Sequence, residues 1–297
     1  MKKLKGIVCA NITPMTATGE VDLASLERLV GHMARSGIHS VYPCGTNGEG
    51  ILLTTAENHA ITDTVLRSNA GRMIAYIQCG VLHPEDTLEN VRYACAAGAD
   101  GVGVMSPVFY KVDDAAMVEY YRSVSQAAGD KPVYMYNISS HTNNDISVKA
   151  FAQVVDECPN VMGIKYSNKD VQRIQDYMRA PKTRRPDVLI GGDSYILPTL
   201  SIGCPGEVSG PACVFPKWYT GVYDSFVAGD WEQASYFQEK VVANSRSIKS
   251  VPAIPGIKAM LKMQGIIEDD TCRRPFRKLT LEEYKVLEKA LENYAKD

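Results

Sequence analysis

The sequence predicts an α/β fold: a (β/α)8 barrel of the TIM type with a C-terminal helical extension. Three observations predict it. Short apolar runs alternate with longer amphipathic ones along most of the chain. Strands that alternate with helices pair in parallel through right-handed crossovers. The first apolar run leads into Thr13-Pro14, whereas a doubly wound open sheet usually carries a dinucleotide glycine fingerprint at that point.

The expected strands are residues 6–12, 40–44, 73–79, 101–105, 132–136, 161–165, 188–190 and 206–209. They are short and apolar, as strands buried on both faces must be. Between them the sequence predicts helices over 22–35, 55–68, 84–97, 113–128, 147–156, 168–179 and 194–202, with another starting near Pro216. Thr54 or Thr55 before Glu57, and the pair Asp113-Asp114, are N-terminal helix signals. Pro84 sits just inside its helix, where its missing N–H costs little. Residues 231–247, 253–263 and 279–295 read as three further helices without strands between them. The expected division is a barrel carrying the active site over 1–228 and a helical extension packed on it over 229–297. The stretch 179–186, with P-K-T-R-R-P, reads as a surface loop.

Composition limits the function. Of 297 residues, 45% are hydrophobic and 22% charged, the balance of a soluble globular protein. A net charge of −2 supplies no global attraction to nucleic acid or to an anionic membrane. The apolar run near the N-terminus stops at Asn11, too short for a signal-peptide core. No stretch approaches the length of a membrane span. The eight cysteines are Cys9, Cys44, Cys79, Cys95, Cys158, Cys204, Cys213 and Cys272. They form no C-x-x-C pair and read as reduced small hydrophobes of a cytoplasmic protein.

In such a barrel the reactive groups stand at the C-terminal ends of strands. The sixth strand reads V-M-G-I-K-Y-S and carries Lys165 at its end. A lysine there is partly desolvated, which favours the neutral amine, and a neutral amine forms Schiff bases with carbonyl substrates. Taken by itself, the stretch equally suits a lysine whose stem packs while its head reaches water. After the second strand, G-T-N-G-E-G (45–50) turns tightly, with Thr46 adding a hydroxyl. It reads as an anion-holding turn or as a plain βα turn. After the fourth, S-P-V-F-Y (106–110) brings aromatics for a lid, an interface or core. The fifth ends in Tyr136-Asn137, and a tyrosine there either transfers protons or buries a hydrogen-bonded ring. The seventh leads into G-G-D-S (191–194), where Asp193 accepts hydroxyls or caps the next helix. The eighth leads into Ser209-Gly210-Pro211. The five histidines, His32, His39, His59, His83 and His141, have no metal-ligand spacing. Covalent amine catalysis without a metal or other cofactor is therefore the expectation for any carbon–carbon chemistry.

With these residues in place, the chain resembles the dihydrodipicolinate synthase/N-acetylneuraminate lyase family of pyruvate-dependent class I aldolases. The motifs are I-T-P-M followed by Gly19-Glu20-Val21-Asp22, then G-T-N-G-E-G, G-A-D-G-V with S-P-V-F-Y, Y-N at 136–137 and G-I-K at 163–165. The resemblance implies that Lys165 forms the Schiff base and that Tyr136 moves the proton at the reacting hydroxyl or aldehyde. It implies that Thr46 and the Asn47 amide region hold the pyruvoyl carboxylate. Tyr110, or Phe109 in another register, resembles the aromatic residue exchanged between neighbouring subunits, which implies a homotetramer built from tight dimers.

Three departures bear on the substrate. Dihydrodipicolinate synthases have an arginine where this chain, in Y-N-I-S-S-H-T, has His141. A histidine is a poorer, pH-dependent carboxylate clamp. Asn47 stands where the family usually has Thr or Ser, which implies a hydroxyl relay toward Tyr110 broken at this position. Gly191-Gly192-Asp193-Ser194 resembles the turn through which sialate lyases contact the polyol, with Ser194 where they favour Glu, and the Ser209 turn resembles keto-deoxy-sugar-acid aldolases. The leading expectation is a pyruvate-forming lyase of a 2-keto-3-deoxy sugar acid such as N-acetylneuraminate. The alternatives are 4-hydroxy-tetrahydrodipicolinate synthase, a catalytically weak keto-acid-binding protein and a phosphosugar enzyme. The last two turns contain few basic residues for a phosphate.

Overall fold

A computed structural model describes residues 2–168 and 170–297. Eight parallel strands close into a barrel in chain order. They are β1 (Gly6–Cys9), β2 (Ser40–Val41), β3 (Ile74–Gln78), β4 (Gly101–Met105), β5 (Val133–Asn137), β6 (Val161–Tyr166), β7 (Asp187–Ile190) and β8 (Gly206–Ser209). The helices between them are α1 (Leu23–Arg35), α2 (Thr55–Asn69), α3 (Pro84–Ala96), α4 (Asp114–Ala128), α5 (Ser139–Thr142), α6 (Val148–Glu157), α7 (Val171–Arg179) and α8 (Ile196–Ser201). After β8 come α9 (Pro216–Val227), α10 (Trp231–Ser247), α11 (Ala253–Met263) and α12 (Leu281–Ala295). The (β/α)8 barrel with C-terminal helices is thus the architecture, and no described helix is long and apolar enough to cross a membrane.

The differences from expectation lie at element ends. Asp22, Asp113 and Ser147, expected inside helices, are N-caps whose side chains accept from the backbone N–H three residues on. Thr54 and Glu57 form a reciprocal capping box at α2. The helix expected over 168–179 begins at Val171 behind its Asp170 cap, and Lys169 lies outside the described residues. The one expected over 194–202 begins as a 3₁₀ turn, Asp193–Tyr195, before α8. β2 is two residues long; Pro43 follows and has no N–H to give to a ladder. α5 was not expected: four polar residues, S-S-H-T, show no apolar period.

Strand alternation sorts the core into layers. Val8, Tyr42, Tyr76, Tyr134, Met162, Leu189 and Val208 fill the barrel interior. The opposite faces of the same strands pack against the helices in two larger apolar clusters. Tyr134 and Tyr136 both point inward from β5, the lower ring sealing the barrel and the upper one forming the floor of its open end.

Candidate active site

β5 and β6 pair in the register Tyr136↔Lys165. Adjacent inward-facing residues on paired strands meet across the ladder. The Lys165 Nζ accordingly lies 3.9 Å from the centre of the Tyr136 ring and 5.4 Å from that of Tyr42. Lys165 is only 6% exposed. Gly163, earlier in the same strand, lets β7 come close: a Cβ there would sit 1.9 Å from the Asp187 carbonyl oxygen.

Opposing influences act on the Tyr136 phenol. Burial favours the neutral form, but the neighbouring Lys165 charge and hydrogen bonds with Thr46, Ser167 and Lys165 favour the phenolate, and the net effect is a lowered pKa. The Thr46 and Tyr136 hydroxyls are 3.4 Å apart. Tyr42 is pushed the other way, well above the ordinary phenol range, by burial first and then by its neighbours Tyr136 and Cys79. Its hydroxyl makes no hydrogen bond.

These groups open into a cavity of about 520 Å3. Of the residues singled out in the sequence, Thr46, Asn47, Tyr136, His141, Lys165, Gly191, Asp193 and Ser209 line it. Gly191 has a steric role: a Cβ there would lie 2.2 Å from Ser167 Oγ, so glycine lets Ser167 stand beside Lys165. Asp193 caps no helix; its Oδ1 accepts from Ser209 Oγ at 2.8 Å. His141 sits on α5 at the exposed rim, its Nδ1 2.9 Å from Ser140 Oγ.

Ser194 is exposed and does not line the cavity. Tyr110 is also outside it, 77% exposed, with Phe109 beside it at 68%. Asn137 of the Y-N pair faces away: its Nδ2 donates to Asp145 Oδ1 at 2.7 Å and to Tyr177 at 3.0 Å, tying β5 to the outer layer.

Ser167, Tyr42 and the rim residues Pro252, Ile254 and Phe276 from beyond β8 were not among the residues expected from the sequence. Ser167 had a signal, since it stands two residues after Lys165 and so on the same side by alternation. The rim residues had none, because only folding brings the start of α11 over the barrel mouth. Among the described residues no three His, Cys, Asp or Glu side chains converge as a metal-binding group.

Comparison with known proteins places this arrangement. The model of the dihydrodipicolinate synthetase family matches residues 3–294. An uncharacterised DapA-like lyase from Halobacterium salinarum is 33% identical over 287 residues, covering 96% of this chain and 92% of its own. The crystal structure of dihydrodipicolinate synthase from Aquifex aeolicus superposes with a TM-score of 0.92 at 26% identity, covering 98% of each chain. The N-acetylneuraminate lyase of Proteus mirabilis does so with a TM-score of 0.90 at 25% identity, covering 99% of each. The chain belongs to the dihydrodipicolinate synthetase family, whose members are pyruvate-dependent lyases of the class I aldolase type.

Proposed function

We propose that this lyase cleaves a 2-keto-3-deoxy sugar acid, with N-acetylneuraminate as the first candidate, to pyruvate and an aldehyde. The observation that carries the reading is the makeup of the cavity wall around Lys165. The same cavity wall as the Lys165–Tyr136 pair includes Ser209 and Asp193, which suit hydroxyl groups, while Lys165 and His141 are the basic side chains lining the cavity. A substrate with a second carboxylate has no guanidinium to meet it there.

In this mechanism the Lys165 amine adds to the keto carbon and water leaves, giving an iminium. Tyr136 takes the proton from the C4 hydroxyl as the C3–C4 bond breaks. The bond's electron pair moves onto the iminium to give an enamine, and the aldehyde departs. Protonation at C3 and hydrolysis then release pyruvate and the free amine. The Thr46 hydroxyl and the Asn47 amide region hold the pyruvoyl carboxylate, and the lowered Tyr136 phenol suits a proton acceptor.

The test is trapping with pyruvate and borohydride followed by peptide mapping. An adduct at Lys165 is expected, and its absence there sinks the covalent mechanism. A panel of 2-keto-3-deoxy acids with coupled pyruvate detection then identifies the substrate. The second reading is 4-hydroxy-tetrahydrodipicolinate synthase, favoured by the similarity to the Aquifex aeolicus enzyme. Condensation of pyruvate with aspartate semialdehyde as the fastest reaction in the panel decides for it. A keto-acid-binding protein is decided for by an adduct with no turnover of any acid.

We also propose a homotetramer in which Phe109 and Tyr110 are covered by a neighbouring subunit. Their rings are packed edge to face, 5.0 Å between centres, on an exposed loop. The loop is held in place by Asn144 Nδ2, which donates to the Pro107 and Tyr110 carbonyls at 2.8 Å. Sedimentation of the Phe109→Ser/Tyr110→Ser double variant is expected to show smaller species than wild type; identical masses refute this assembly.

A further inference from the structure

Behind the cavity wall formed by β7 and β8 lies a buried acid that the mechanism above does not use. Glu207 lies two residues before Ser209 on β8, so both side chains leave the strand on the same face. Val208 between them points into the barrel interior, which places Glu207 on the outer face. Glu207 is fully buried. Around it are Asp193 at the start of the turn after β7, Lys165 on β6, Cys9 on β1 and Tyr219 on α9. Cys213, after β8, contacts Cys9 in turn.

The Glu207 and Asp193 carboxyls face each other as close neighbours. The Gly192 backbone N–H faces the Glu207 carboxyl, but no protein donor meets either Glu207 oxygen in full hydrogen-bonding geometry. A buried carboxylate without donors is among the costliest groups to fold, and two adjacent carboxylates cannot both ionise. One proton held between them removes both problems. Asp193 already accepts from Ser209, so Asp193 is the acceptor of the pair and Glu207 the donor. Burial foremost, and the Asp193 charge next, push the Glu207 carboxyl well above the ordinary range, with the Lys165 charge acting in the opposite sense.

We propose that Glu207 is a positioning residue: as the neutral acid it hydrogen-bonds Asp193 and, together with Ser209, fixes the Asp193 carboxylate as a single-charge hydroxyl acceptor for the polyol arm of the substrate. The substrate half of this statement rests on the sugar-acid reading above; the shared proton does not.

Two measurements separate these parts. The first is thermal unfolding of wild type and Glu207→Gln as a function of pH. An acid whose pKa is raised by folding supplies stability below its unfolded value that is lost as pH rises toward the folded one. Glutamine has no such proton to lose. The expected result is similar Tm values near about pH 4 and a widening advantage for Glu207→Gln toward about pH 9. Parallel curves overturn the shared proton, whatever the reaction proves to be.

The second is the rate of aldol addition of pyruvate to D-glyceraldehyde. Glu207→Ala, which cannot donate, is expected to lose about tenfold or more in kcat/KM, while Glu207→Gln, which can, recovers to within about twofold of wild type. Equal losses in the two variants overturn the positioning role. The borohydride-trapped pyruvate adduct at Lys165 is expected in both variants. If wild type itself forms no adduct, the Schiff-base reading fails while the unfolding curves still decide the proton.

Discussion

Two neighbours decide the chemistry available to Tyr136. Its phenol is buried beneath the pocket, which alone favours the neutral form, yet Lys165 lies 3.9 Å from its ring and Thr46 3.4 Å from its hydroxyl. The net lowering suits the proton-acceptor role proposed for it beside the amine that would bind the keto acid. Tyr136→Phe keeps the ring over Lys165 and removes only the hydroxyl. The variant is expected to form the pyruvate adduct still, but to cleave substrate about 10²–10⁴ times more slowly, the usual range for a positioned acid–base group. Steady-state kinetics beside adduct mapping checks both halves. At this scale the sequence was most informative where a polar residue ended an apolar strand, as with Lys165 and Tyr136. It said least where a charged residue hid within one. Glu207, in G-E-V-S, is the charged residue of a strand buried throughout, and a carboxyl with no partner in view along the chain was the signal to follow.

The turn after β2 shows how elements distant in sequence build one another. Residues 45–50 pass through tight conformations: Glu49 is left-handed, at φ 56°, and a Cβ on Gly50 would lie 1.8 Å from the Cys44 carbonyl oxygen. The Glu49 carboxylate is what anchors the turn. It pairs with Lys258 of α11 and accepts from the Arg273 backbone N–H at 2.8 Å, while Lys258 Nζ also donates to the Thr271 carbonyl at 2.8 Å. Both charged side chains of the pair are fully buried. The C-terminal helices therefore hold the loop that carries Thr46. Removing one partner leaves the other charge buried and uncompensated, so Lys258→Met is expected to cost about 3–5 kcal/mol in urea unfolding. A change below about 1 kcal/mol, the range of an exposed pair, would show that the contact is not buried in solution. Nothing in the local pattern around Glu49 or Lys258 announced this pair, since more than two hundred residues separate them. G-T-N-G-E-G was legible as a turn, but not the lysine that holds it.

Across the whole molecule, the barrel and its C-terminal segment are joined by a second ionic contact. Arg273 grips Glu57 of the α2 capping box with both terminal nitrogens and also donates to the Leu52 carbonyl at 2.8 Å. The hydrogen bond from Arg273 is the first cause that lowers Glu57 from 4.5 to about 2. A carboxylate lowered by folding contributes stability that is fully present above its unfolded value and lost as pH falls through the folded one. The stability gap between wild type and Glu57→Gln is therefore expected to close between about pH 4.5 and about pH 2. Urea midpoints across that range check it; a gap that persists at the acid end argues against the contact. The side chains are part-exposed, so added salt is expected to narrow the gap as well.

The chain by itself determined the eight-strand order, the parallel barrel and the strand ends from which Thr46, Tyr136, Lys165, Asp193 and Ser209 emerge. Those follow from local periodicity: a strand alternates every two residues, and a barrel collects the ends of its strands in one place. Only the tertiary structure decided that Ser194 and Tyr110 stand outside the pocket, that Pro252, Ile254 and Phe276 form its rim, and that Glu207 and Lys258 meet their acidic partners. Such contacts depend on the direction of a side chain after closure and on packing between segments far apart in the chain, and no local pattern encodes either.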